Sequence, residues 1–158
     1  MLTTLALCAW LAACAVQDLR RRQVDNLLTL GGLAMAAGQL LLTGHSLTQH
    51  APAAALAAAG LGLLLSLPGY LLGKLGAADV KLLAALGLAS DPYSLLYALA
   101  LACLVTVALM LASKLSLESQ RLPKAFEGCL KPFDLSRSKS FPFIFSIFCG
   151  YLLQLSFR

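Results

Sequence analysis

Apolar residues dominate six stretches of this chain, 2–16, 27–42, 53–72, 80–89, 93–112 and 141–157, separated by short polar breaks. Leu and Ala prevail, and no two-residue alternation of apolar and polar positions runs through the stretches. A hydrocarbon core about 30 Å thick takes roughly 20 apolar residues to cross as a helix. Only closed hydrogen-bonded structures cross it, so runs of this kind predict helices. The expected fold is all-α, a polytopic membrane helix bundle of about six transmembrane helices, one of them short. The short one, 80–89, spans only about 15 Å at 1.5 Å per residue, so it starts below the membrane surface or the bilayer thins around it.

The breaks have their own chemistry. Positions 43–51 form a polar turn with His45 and His50, and Pro52 suits the first turn of a helix. Asp91-Pro92 reads as a turn, and 113–140 as a wet basic loop. No internal repeat is visible, so residues 1–158 read as one membrane-embedded domain.

Composition agrees: 59% of residues are hydrophobic, 12% are charged, and mean hydropathy is +0.82. A soluble domain carries roughly 25% charged residues. The formal net charge of +5 raises the question of nucleic acid, but the basic residues flank apolar runs and are not interleaved with aromatics. Their expected partner is the phospholipid membrane. Arg20, Arg21 and Arg22 follow the first run and no charged side chain precedes it, which orients the N-terminus outward. Six alternating segments then put eleven of the 12 basic residues on the cytoplasmic side, with only Arg158 outside, and make 113–140 a cytoplasmic loop. A cleaved signal peptide carries its charge ahead of the apolar run, so this first run is expected to stay attached. Leu11-Ala12-Ala13-Cys14 has the look of a lipoprotein processing box but lacks a basic start, and Cys14 reads as an apolar helix residue. The five cysteines form no CxxC pair, and no cofactor or metal site is expected. His45 and His50 have no acidic or cysteine neighbour in the sequence and read as solvated.

Asp18 closes the first run and Asp79 opens the fourth, on the same side of the membrane under that topology. A carboxylate at a helix centre in a membrane costs about 2.5–3.5 kcal/mol, and less near the interface. Either aspartate alone reads as a solvated helix end. Two that face each other form an acid–base pair, because like charges a few ångströms apart share one proton. Asp79, at a helix start, is favoured as the base by the helix dipole, leaving Asp18 as the neutral acid. Arg20 and Lys81 lie two positions from an aspartate and so off its helical face. Asp25 or Asn26 reads as the N-cap of the second helix. Gly31, Gly32, Gly38, Gly60, Gly62 and Gly69 let helices approach closely.

Asp18-Leu19-Arg20-Arg21-Arg22-Gln23-Val24-Asp25-Asn26 resembles the DxRxxxIPN signature of type IV prepilin peptidases, with Val24 for Ile and Asp25 for Pro. Gly76-Ala77-Ala78-Asp79-Val80-Lys81 resembles their GxGDxK motif, with Ala78 for the second Gly, and Phe141-Pro142-Phe143 is similar to the start of their last helix. The resemblance implies an aspartic endopeptidase of the bacterial inner membrane that removes the N-terminal leader from prepilins at the cytoplasmic face. Asp18 and Asp79 are then catalytic, supported by Arg20, Asn26, Gly76 and Lys81. Paired CxxC motifs, which accompany N-methylation in larger relatives, are lacking, so the resemblance is to the short, peptidase-only form associated with Flp-type pili, without methylation.

Two other readings stay open. A catalytically weak or inactive subunit of a pilus or secretion machine is favoured by Ala78: a positive φ there would cost an alanine roughly 1 kcal/mol. A small transporter with a proton-relay aspartate pair also fits intramembrane carboxylates.

Overall fold

A computed structural model describes residues 2–21, 24–73, 75–118 and 143–156, and these form six helices and no strand. They are α1 (Leu2–Arg21), α2 (Asn26–Thr43), α3 (Pro52–Leu71), α4 (Ala77–Ala89), α5 (Pro92–Glu118) and α6 (Phe143–Ser156). The helical bundle is as expected, with shifted boundaries. α1 continues past Asp18, placing Arg20 and Arg21 in its last turn, where cations meet the negative end of the helix dipole. α5 takes in 113–118, so the basic loop is shorter than expected. The rest of that loop, with Arg121, Lys124, Cys129, Lys131, Arg137 and Lys139, lies outside the described residues, as do Arg22, Lys74, Phe141, Pro142 and Arg158.

The helix ends follow local chemistry. α2 stops at Gly44, whose φ of 69° suits glycine and whose N–H donates to the Leu40 carbonyl at 3.0 Å. α3 opens on Pro52 and is followed by Gly73 at φ 66°. α4 begins after Gly76 and ends at Ser90.

Three segments are long and apolar enough to cross a membrane: Asn26–Thr43, Pro52–Leu71 and Pro92–Leu111. Their outer faces present Leu27, Leu42, Leu71, Tyr93 and Leu104 to the surroundings, as lipid contact requires. α4, at 13 residues, is about 20 Å long and too short to cross alone. It is instead the inner helix. Leu82 through Ala89 are all buried, the mark of a helix apolar on every side, and α4 packs chiefly on α3 and α2. α6 packs on α5 and α1, and α3 also meets α5.

Without a hydrophobic drive between helices in lipid, close backbone approach does the joining. A Cβ on Gly87 of α4 would sit 2.5 Å from the Ala58 carbonyl oxygen of α3, and one on Gly62 of α3 would sit 2.8 Å from that of Leu83. Gly150 of α6 meets the Ala98 carbonyl of α5 at 2.5 Å in the same sense. Gly32 lies under the Trp10 indole, whose Nε1 donates to the Leu28 carbonyl at 2.9 Å and ties α1 to α2. Of the six glycines expected at helix contacts, Gly32 and Gly62 face neighbouring helices and Gly69 faces Leu75 beyond its own helix. Gly31, Gly38 and Gly60 have open space.

One end of the bundle gathers the 44–51 loop and the α4–α5 turn. Thr48 N–H donates to the Ala89 carbonyl at 3.2 Å, and His50 Nε2 lies 3.3 Å from Asp91 Oδ1. His50 was expected to lack an acidic partner; the fold supplies one 41 residues away. Asp91 is buried, and Oδ1 stands at ion-pair distance from His50 without hydrogen-bond alignment, while Oδ2 accepts the Ser94 N–H at 3.4 Å. Burial alone would raise the Asp91 pKa, but donors from Ser94, the nearby His50 and the Tyr93 N–H outweigh it and hold the carboxyl below its ordinary 3.8.

Gly87→Val and Gly150→Val each lose about 1–3 kcal/mol or more of stability, because the obstructing atoms are backbone, whereas Gly38→Ala loses nothing measurable; thermal melts in detergent check both. A depressed folded-state pKa stabilises above the unfolded value and is lost as pH falls through the folded one. The melting temperature is therefore expected to drop in acid as Asp91 protonates, and Asp91→Asn is expected to flatten that acid limb.

Candidate functional site

The opposite end of the bundle collects the sequence-marked residues. α1 finishes there, α2 and α4 begin there, and α6 begins there too. Asp18 is in the last turn of α1 and only 6% exposed. Its Oδ2 accepts the N–H of Ile144 at 3.0 Å and of Phe145 at 3.4 Å, the first turn of α6. The carboxylate thus supplies the N-terminal acceptor that α6 needs for its unpaired donors.

Asp79 is the third residue of α4, half-buried, and its Oδ2 accepts the Gly76 N–H at 2.9 Å. That is half of a capping box. Gly76 has no side chain to complete it, and its carbonyl accepts the Asp79 N–H at 3.1 Å instead. Gly76 itself is extended, with φ −78° and ψ 154°.

Both carboxylates sit at helix N-termini, and Asp18 receives two backbone donors to the one at Asp79. Among the described residues the hydrogen bond to the Asp79 carboxylate comes from Gly76, so the two aspartates share an end of the bundle without bonding to each other.

Ala78 is an ordinary helical residue in the first turn of α4. Among the described residues the non-glycine with positive φ is Gln49, in the other end's loop. The strain expected if Ala78 took a positive φ does not arise, and alanine favours the helix there.

Of the supporting residues, Asn26 and Lys81 are brought together: Lys81 Nζ donates to Asn26 Oδ1 at 2.7 Å. Arg20 is exposed at the end of α1. Arg21 Nη1 stands 3.9 Å from Asp25 Oδ2 in a largely exposed pair, which contributes little. Asp25 is the N-cap of α2 by backbone but caps nothing with its side chain. Its carboxylate instead accepts from Gln17 Nε2, and its N–H donates to Gln17 Oε1 at 3.2 Å. Sequence reasoning passed over Gln17, although a glutamine interrupting an apolar run beside Asp18 was a visible signal. Nothing in the sequence marked the α6 backbone as the partner of Asp18.

A helical bundle with apolar outer faces, with acidic and basic side chains gathered at one end, is a membrane protein. Residues 5–111, more than half the chain and inclusive of Asp18, Asn26, Gly76, Asp79 and Lys81, match the type IV leader peptidase family, and the chain belongs to it. No curated protein and no solved structure matches the chain.

With Ala78 helical, Ala78→Gly is expected to lower stability by up to about 1 kcal/mol and to bring no gain in leader cleavage. A melt paired with a cleavage assay checks it; a tenfold gain in cleavage would show that the alanine does impair the site.

Proposed function

We propose that this protein is an aspartic endopeptidase, multi-pass in the bacterial inner membrane, which removes the N-terminal leader from Flp-type prepilins at the cytoplasmic face without N-methylation. Asp18 and Asp79 are its catalytic pair. The observation that carries the reading is that both family-motif aspartates stand at one end of the bundle, each at the N-terminus of a helix packed into the core. The cytoplasmic side is favoured by the basic residues of that same end, Arg20, Arg21 and Lys81. The peptidase-only form is favoured by cysteines that make no CxxC pair.

The chemistry follows from the donors. Asp18, facing two backbone N–H groups, holds the negative charge and takes a proton from a water molecule. The water oxygen attacks the scissile carbonyl carbon while protonated Asp79 donates a hydrogen bond to the carbonyl oxygen, which bears the growing charge. Collapse of the tetrahedral species breaks the C–N bond. The departing amine takes a proton from the pair, leaving a leader carboxylate and a free pilin N-terminus.

The inactive-subunit reading drew its support from Ala78, and a helical Ala78 removes it.

Co-expression with a prepilin, scored by gel shift, is expected to show leader removal by the wild type and less than about 1% of that rate in Asp18→Ala and in Asp79→Ala, given the 10²–10⁴-fold worth of a positioned acid or base. Mass spectrometry of the product is expected to find an unmethylated N-terminus. Processing by both aspartate variants would end the aspartic mechanism.

A further inference from the structure

The two aspartates of the proposed pair belong to helices that pack on different neighbours. α1 lies chiefly on α6, and α4 lies chiefly on α3 and α2. Something must hold the end of α1 in register with the start of α4, because a misplacement of about 1 Å between reacting groups costs on the order of 100-fold in rate.

A chain of hydrogen bonds makes that link by way of α2. Gln17, directly before Asp18, and Asp25 contact each other at two points: Gln17 Nε2 donates to Asp25 Oδ2, and the Asp25 N–H donates to Gln17 Oε1 at 3.2 Å. The next residue, Asn26, accepts from Lys81 Nζ at 2.7 Å, across 55 residues of sequence. Lys81 stands two positions after Asp79. Each aspartate is therefore within two residues of one end of the chain Gln17, Asp25, Asn26, Lys81.

Two features mark this as more than a surface contact. An aspartate at an N-cap ordinarily accepts from its own helix, yet the Asp25 side chain caps nothing and turns to α1. At this position the prepilin peptidase signature has a proline. Asp25, with φ −62° and ψ 140°, holds a backbone a proline could adopt, while offering the N–H that proline lacks.

We propose that Gln17, Asp25, Asn26 and Lys81 are positioning residues that set the separation of the Asp18 and Asp79 helices; the inference rests on the reading of those aspartates as the catalytic pair. None of the four acts on substrate. Their work is to register α1 against α4 through the first residues of α2.

The test uses the full chain in nanodiscs, with native cysteines replaced and spin labels at Val16→Cys and Ala77→Cys, both exposed positions outside the linkage. The inter-label distance distribution is expected to broaden in Gln17→Ala and in Lys81→Ala, and to keep its wild-type width in Asn26→Asp, which preserves the acceptor for Lys81. In the same two alanine variants kcat for leader cleavage is expected to fall roughly tenfold or more, with KM changed by less than about twofold. An unchanged distribution in both alanine variants overturns the inference, whether or not cleavage falls. A wild type that cleaves no prepilin would remove the catalytic reading alone, and the width comparison would still decide the linkage.

Discussion

The backbone contact between α3 and α4 is the constraint on which the rest of the structure depends. Gly87 against Ala58 and Gly62 against Leu83 bring two main chains together where any side chain would intrude. In a bilayer the lipid tails are as apolar as leucine, so helices gain little by hiding leucines from lipid and much by packing closely. This contact makes α4 an inner helix, buried from Leu82 to Ala89. A short helix so enclosed can expose only its ends. Its N-terminal end, with Gly76 as the cap and Asp79 and Lys81 in the first two turns, is thereby presented to the rim of the bundle, and its last residues meet the 44–51 loop at the other rim.

A second constraint is electrostatic. Helix N-termini present unpaired N–H donors, and among the described residues three of them are met by carboxylates: α6 by Asp18, from another helix, α5 by Asp91, directly before it, and α4 by Asp79, from within. Structure and proposed chemistry thus use the same groups. Asp18 seats α6 and, in the proposed mechanism, holds the charge that activates water, so its removal is expected to touch packing as well as reaction. Lys81 and Asn26 neutralise each other's polar demand beside the pair instead of bonding to it. A carboxylate partnered by an ammonium would be tied up in an ion pair, and the i, i+2 offset of Lys81 from Asp79 avoids that.

Much of the fold was legible because the membrane makes hydropathy a strong signal: all six helices coincide with apolar runs. Their ends were less so. Gln17, Asp18, Arg20 and Arg21 end the apolar pattern, yet none of them breaks a helix, and α1 runs through them. α4 starts three residues before its apolar run because Gly76 and Asp79 close its first turn. The glycines show a different limit. Sequence tells that Gly31 and Gly32 are small, but only the neighbour's position tells that Gly32 lies under Trp10 and Gly31 faces open space. The candidate aspartates were legible through their motifs. Their partners were not, since His50 to Asp91, Asn26 to Lys81 and Asp18 to Ile144 join residues whose spacing follows from the bundle and not from any local period.

The central claim is that positions 18 and 79 reach one water molecule, and metal bridging tests it most directly. In a chain freed of its native cysteines, Asp18→Cys with Asp79→Cys would place two thiolates where the carboxylates stand. One zinc-group ion bound by both needs sulfurs within roughly 4 Å, at about 2.3 Å from each to the metal. The account predicts that the ion protects both thiols together from alkylation in the double variant and neither in the single ones. Independent alkylation of the two thiols at saturating metal would contradict it.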